Sequence, residues 1–194
     1  TISGTVTNSF ASDVTINGSL VRTAASIIFS AGQTTTFESG STATLSLANL
    51  GLTFRDLVIN KSGGSLTIVP GGTITNNVTN LTLTAGSLNL GTTNTTLVVS
   101  GDLSGSGNLD MSGATHQVTL NGVNNSIGSL TSNSNPTLGT ITYNRGSDQN
   151  IFGSPNYRNL TFSMASGTSK TLSLNGNVAV SGILHFNNNI KAIL

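Results

Sequence analysis

Asn80-Leu-Thr-Leu83, Ser87-Leu-Asn-Leu90, Thr96-Leu-Val-Val99, Asp102-Leu-Ser104, Asn108-Leu-Asp-Met111 and Gln117-Val-Thr-Leu120 decide how this chain is read. Each unit is a polar residue followed by an apolar–polar alternation. That is the period-two mark of a strand with one face buried. The units begin roughly six to nine residues apart and are bounded by Gly, Asn or Ser, so the strands are short and the turns tight. Two or three of them make a coil of roughly twenty residues, the size of a β-helix rung. Stacked coils would place Leu81, Leu83, Leu88, Leu90, Leu97, Val99, Leu109, Val118 and Leu120 in inward ladders. Burying one such side chain contributes about 1.5–3 kcal/mol. Gly86, Gly91, Gly101, Gly105, Gly107 and Gly113 fall at the expected corners, where positive φ is often needed.

The fold class this predicts is all-β: a parallel β-helix, or β-solenoid, of short strands and Gly/Asn turns. Residues 1–194 are expected to form one continuous segment. A tandem immunoglobulin-like array is the alternative, because a longer repeat described below has a suitable length. The strands are too short and too closely spaced for a sandwich, which favours the solenoid.

Composition agrees with this reading. Only 7% of the 194 residues are charged while 36% are hydrophobic, so the charge-driven route to disorder is closed. Thr, Ser, Asn and Gly replace the missing charge and suit strands and turns. The net charge is +1, with Arg22, Arg55, Lys61, Arg145, Arg158, Lys170 and Lys191 scattered. No basic cluster offers nucleic acid an electrostatic footprint. No apolar run reaches the length of a membrane span, and aromatics at 5% without Trp do not make the girdles of an outer-membrane barrel. Cysteine is absent, which removes thiol catalysis, thiolate metal sites and disulfides. The ends, Thr1-Ile-Ser-Gly4 and Ile190-Lys-Ala-Ile-Leu194, carry the expectation that this is a piece of a longer chain.

A longer repeat lies above the coils. Phe54-Arg-Asp-Leu-Val-Ile-Asn-Lys61 matches Tyr157-Arg-Asn-Leu-Thr-Phe-Ser-Met164 at an offset of 103 residues. The pairs Phe54/Tyr157, Arg55/Arg158 and Leu57/Leu160 are therefore expected to be equivalent. Ile28-Phe-Ser-Ala-Gly-Gln33 and Gly71-Gly-Thr-Ile-Thr75 extend the match more loosely. The duplicated blocks are about 26–100 and 138–190, as expected of tandem duplication in an array. In the second block, Thr140-Ile-Thr-Tyr-Asn-Arg-Gly-Ser-Asp-Gln-Asn150, Asn156-Tyr-Arg-Asn-Leu-Thr-Phe-Ser163 and Lys170-Thr-Leu-Ser-Leu-Asn-Gly-Asn-Val-Ala-Val-Ser-Gly182 resemble the repeats of large secreted surface proteins of Bacteroidota. That resemblance implies an adhesin-like protein exported by the type IX system, in a cell-surface or extracellular setting. The C-terminal sorting domain with which such proteins usually end is not among these 194 residues, in keeping with the expectation of a piece of a longer chain.

The candidate chemistry is sparse. Asp13, Glu38, Asp56, Asp102, Asp110 and Asp148 form no paired motif for acid–base work. Asp102 and Asp110 could meet only if the coils align them. His116 and His185 lack ligand-spaced neighbours. No cofactor or metal is expected, and the chain reads as a non-enzyme. The aromatics Phe54, Tyr143, Phe152, Tyr157, Phe162 and Phe186 read as core before they read as a sugar platform. Thr-x-Thr recurs at Thr5/Thr7, Thr34/Thr36, Thr73/Thr75, Thr82/Thr84, Thr93/Thr95 and Thr140/Thr142, but at irregular intervals. Ranked threonines on one face, as an ice-binding surface needs, would call for a constant coil length. The expected role is a structural or adhesive segment of a bacterial extracellular surface protein or filament. Its expected partners are neighbouring repeats or copies of itself, and surface glycans. A dedicated glycan- or ice-binding solenoid module is the alternative.

Overall fold

The computed structural model describes residues 7–10, 12–23, 26–29, 33–48, 51–70, 72–133, 135, 139–163 and 170–187. The chain ends and parts of the loosely matched stretches at 28–33 and 164–169 lie outside these residues. The described chain is all-β, and its parallel strands stack as a β-solenoid of about seven turns.

Each coil visits three sheets in turn. The coil that begins with Thr95–Val99 continues through Leu103–Gly105 and Asn108–Asp110, and the next begins at Gln117–Leu120. Face A contains Thr95–Val99, Gln117–Leu120, Thr140–Tyr143, Asn159–Phe162 and Leu184–Phe186, each in parallel register with the one before. Face B runs from Val14–Ile16 through Thr34–Glu38 to Leu103–Gly105, and face C from Leu20–Val21 through Ala43–Ser46 to Ser129–Thr131. The strands Thr53–Val69 and Ile74–Asn89 run unbroken around the corners and contribute to all three faces.

Inside, apolar side chains from successive coils stand on one another. On face A the register stacks Phe54, Val78, Val99, Leu120, Tyr143, Phe162 and Phe186. On face B it stacks Leu57, Leu81 and Leu103, and on face C Leu66, Leu88, Leu109 and Leu130. Leu81, Leu83, Leu88, Leu90, Leu97, Val99, Leu109, Val118 and Leu120 are each at most 1% exposed and belong to one hydrophobic cluster. Backbone hydrogen bonds pass from coil to coil at the corners as well, as from Ser100 N to Val78 O at 2.9 Å and from Asn121 N to Val99 O at 2.9 Å. Polar main-chain groups that would otherwise be stranded beside a dry core are satisfied in this way.

The coils are not equal in length. The face A rungs lie 21 residues apart from Val78 to Val99 to Leu120, then 23, 19 and 24 residues apart to Tyr143, Phe162 and Phe186. The corners absorb the difference, and glycine makes them possible in two ways. Gly105 has φ +113, and a side chain there would also place Cβ 2.2 Å from Leu83 O. Gly113 has no positive φ, yet a Cβ would sit 1.9 Å from Gly91 O. Corner glycines thus answer to the coil beneath as much as to backbone conformation.

Candidate functional site

The faces differ in what their outward side chains do. On face B the outward residues bond to one another. Asn80 Nδ2 donates to Asp56 Oδ1 at 2.7 Å, and Asn80 Oδ1 accepts from Asp102 N at 3.1 Å. Asn124 donates through its backbone N and Nδ2 to the two carboxylate oxygens of Asp102 at 2.9 and 3.2 Å. Asn150 Nδ2 then donates to Asn124 Oδ1 at 3.2 Å. An unbroken ladder of carboxylates and amides therefore climbs five coils. Face C has a shorter version, in which Asn89 Nδ2 donates to Asp110 Oδ2 at 2.8 Å and Ser129 Oγ donates to Asn108 Oδ1 at 2.9 Å.

Face A is different. Its outward positions form one row of Thr75, Thr96, Gln117 and Thr140, which ends on the buried Asn159, and a second of Asn77, Val98, Thr119, Thr142, Thr161 and His185. All but Asn159, which donates to Gly139 O and accepts from Ile183 N, are exposed or half-buried. The register between Thr95–Val99 and Leu184–Phe186 carries no bulge, so each row rises at the strand spacing of about 4.8 Å. The rungs at 74–78, Thr95–Val99, Gln117–Leu120, Thr140–Tyr143, Asn159–Phe162 and Leu184–Phe186 carry no Asp, Glu, Lys or Arg, while Arg55 and Arg158 flank the face beside Phe54 and Asn159. Among the described residues, the hydroxyls of Thr75, Thr96, Thr119, Thr140, Thr142 and Thr161 have no hydrogen-bond partner, in contrast to the Asp and Asn ladders of faces B and C.

The irregular spacing of the Thr-x-Thr pairs had argued against aligned threonines, and the register corrects that argument. Thr34/Thr36 and Thr82/Thr84 belong to strands of face B while Thr140/Thr142 stands on face A. The pairs themselves stay unaligned, but single threonines stack, Thr75 on Thr96 and Thr119 on Thr142 and Thr161, because corners of variable length return each strand to the same register. The inner aromatics obey the same rule. Tyr143 and Phe162 have ring centroids 6.0 Å apart, and Phe162 and Phe186 5.2 Å.

Three cations are drawn into the corners, where they donate to backbone and side-chain oxygens. Arg22 donates to Gly51 O at 2.8 Å, and Lys61, wholly buried, to Glu38 O at 3.2 Å and Ser39 Oγ at 2.9 Å. Lys170 is 3% exposed, and its Nζ sits among Ser163 O at 2.6 Å, Tyr143 O at 3.1 Å, Arg145 O at 3.2 Å and Gln149 Oε1 at 3.3 Å. Burial pulls all three below their ordinary values, Lys170 to about 8. The Lys170 ammonium is therefore still charged at neutral pH, where it tethers two coils through carbonyl oxygens. Beside it the Tyr143 and Tyr157 hydroxyls meet at 2.9 Å, and Tyr157 donates onward to Phe152 O at 2.8 Å. Burial raises both phenols above their ordinary value. The short-strand pattern gave no sign of this buried polar cluster; the only hint was a lysine set among apolar strands.

Asp102 and Asp110 do not meet. Asp102 sits in the face B ladder and Asp110 in that of face C, each engaged by its own neighbours. Among the described residues no group of three or more His, Asp or Glu side chains could hold a metal ion. His116 is buried in a corner with Nε2 3.1 Å from Gly91 O, and its Nδ1 has no partner. Burial lowers its pKa, against the opposing pulls of the Gly91 carbonyl and the Asp110 charge. His185 stands on the exposed last strand.

The pairs matched at the 103-residue offset occupy different places in the coil. Phe54 stacks in the face A ladder that ends at Phe162 and Phe186, whereas Tyr157 pairs with Val180. Leu57 stacks with Leu81 on face B, and Leu160 with Ile141 and Leu184 on face A. Arg55 makes an exposed ion pair with Asp56 at 3.6 Å, while Arg158 donates to Ser181 Oγ at 3.0 Å. An offset of 103 residues is not a whole number of these unequal coils. The two Arg side chains therefore share no common contact.

The architecture defines the class: a three-faced parallel β-solenoid. Comparison with protein-family models, curated proteins and solved structures returns no match to this chain.

Proposed function

We propose that this solenoid is a non-enzymatic structural and adhesive segment of a bacterial extracellular surface protein or filament, a stiff rod that presents side chains along its length. The observation that carries the reading is the continuity of its stabilising elements. The inner ladders, the outer amide–carboxylate ladder and the corner hydrogen bonds all repeat from coil to coil. In such a stack each coil draws its stability from its neighbours, so length can grow without a new core. A rod of this kind suits a stalk on which many weak polar contacts sum to avid attachment. Its partners would be neighbouring repeats or copies of the same protein, and surface glycans.

The resemblance of residues 140–182 to secreted Bacteroidota repeats supports a cell-surface setting and export by the type IX route. The test is the mass and shape of the native polypeptide at the cell surface, by denaturing gel and electron microscopy with an antibody to this segment. A very large chain or a thin filament is expected. A compact soluble protein near the 19.7 kDa of this chain would overturn the reading.

A further inference from the structure

We infer that the outer side of face A is the binding surface of this rod, and that its ligand is a neutral, extended β-linked polysaccharide lying along the stack. The inference rests on the adhesive reading above and assigns it to one face.

Three observations point to face A. First, its polar groups are available. The Asp and Asn side chains of faces B and C are engaged in ladders, so a ligand there would have to break Asn80–Asp56 or Asn124–Asp102 bonds before forming its own. The Thr96, Thr119, Thr140, Thr142 and Thr161 hydroxyls offer a donor and acceptor each without that cost. Second, the two outward rows carry no Asp, Glu, Lys or Arg, although both neighbouring faces present carboxylates in Asp56, Asp102 and Asp110. A neutral ligand meets no charge within the rows, whereas an anionic one finds cations only at the margin, in Arg55 and Arg158, which already hold Asp56 and Ser181. Third, the surface is periodic. From Asn77 to His185 the second row spans five strand spacings, roughly 24 Å. Threonine is stiff at χ1, so its hydroxyls and methyls are held in place before a ligand arrives. An extended β-linked sugar chain advances per ring by about the rise of one coil, so successive hydroxyls can meet successive rungs.

The Gln117 amide within the first row, and the Asn77 amide and His185 imidazole at the two ends of the second, widen this donor and acceptor set. Each contact is weak, with a hydrogen bond worth about 0.5–1.5 kcal/mol net, and affinity would come from their number along one chain.

The experiment is a depletion assay with the whole chain and three neutral insoluble polymers, cellulose, β-mannan and chitin, with polygalacturonate as the anionic control. At least one neutral polymer is expected to remove the protein from solution and polygalacturonate to leave it. The double variant Thr119→Lys/Thr142→Lys, folded by circular dichroism, is expected to bind about tenfold or more weakly, since it sets two charges against a neutral chain. Thr82→Lys on face B is expected to bind as the parent does. Should the double variant fail to fold, Thr142→Lys alone carries the same test. Failure of all three polymers to deplete the protein would overturn the inference, as would equal binding by the face A variant or preference for polygalacturonate. Shaping of growing ice without polysaccharide binding would also overturn it, assigning the face to ordered water. A filament at the cell surface whose solenoid ignores every polymer would retire this inference alone and leave the rod reading standing.

Discussion

Neighbouring residues Thr119 and Leu120 should respond to truncation in opposite ways. Leu120 is 0% exposed and stacked between Val99 and Tyr143; Thr119 lies on the same strand with its side chain outward. Leu120→Ala removes buried methyl groups and leaves a cavity that the coils above and below are too tightly paired to fill. Large-to-small changes of this kind cost about 2–5 kcal/mol. The upper half of that range is expected here, because backbone hydrogen bonds hold the strand in register with both neighbours. Thr119→Ala removes a hydroxyl that bonds nothing in the protein and should stay within about 0.5 kcal/mol. The assay is urea denaturation followed by far-UV circular dichroism, with midpoint and slope compared. An unchanged slope keeps the free energies comparable, while a shallower one would show the stack opening in parts, as weakly coupled repeats do. A Leu120→Ala cost below about 1 kcal/mol, or a Thr119→Ala cost equal to it, would refute the inside–outside assignment of face A.

Three further outcomes follow from the corners. Gly105→Ala must hold φ +113 with its Cβ 2.2 Å from Leu83 O, so it should lose more than about 1 kcal/mol, read as a lower urea midpoint. His116 is held neutral by burial, so its folded pKa lies below the unfolded one. Its contribution to stability is full above about pH 6.5 and declines as the pH falls; His116→Gln should flatten the urea midpoint between about pH 7 and pH 5. Lys170 has the same sign in a higher window, because its folded pKa of about 8 lies below the usual 10.5. The parent should gain of order 1 kcal/mol in stability between about pH 8 and pH 9.5, and Lys170→Met should not.

The sequence reveals the inside of this molecule better than its outside, for a physical reason. Apolar–polar alternation reports burial directly, so Leu81 to Leu120 can be read as inward-facing before any coil is drawn. Which outward residues become neighbours depends on register, and register depends on corners whose lengths vary. Thr119 and Thr142 stack although no motif links them, while Thr34/Thr36 and Thr140/Thr142 look alike and stand on different faces. The same variation separates Leu57 from Leu160 despite their matching surroundings. The Lys170 cluster was illegible for another reason. Its acceptors are mostly backbone carbonyls, which every residue carries, so no side-chain pattern announces them.

The three faces also differ in what a partner could gain from them. On face B a ligand hydroxyl would compete with amide–carboxylate bonds already made at 2.7–3.2 Å, and an incoming group must replace what it breaks. At the face A threonines the competitor is water, which leaves on binding and recovers its own hydrogen bonds in solution. That difference is small at one coil. It recurs at every coil, and a ligand as long as the stack collects it many times, provided the rows stay in register. The inner ladder that makes the rod stiff is therefore also what would make its outer face a surface for a periodic partner. A break at Leu120 would then weaken adhesion at coils it does not touch.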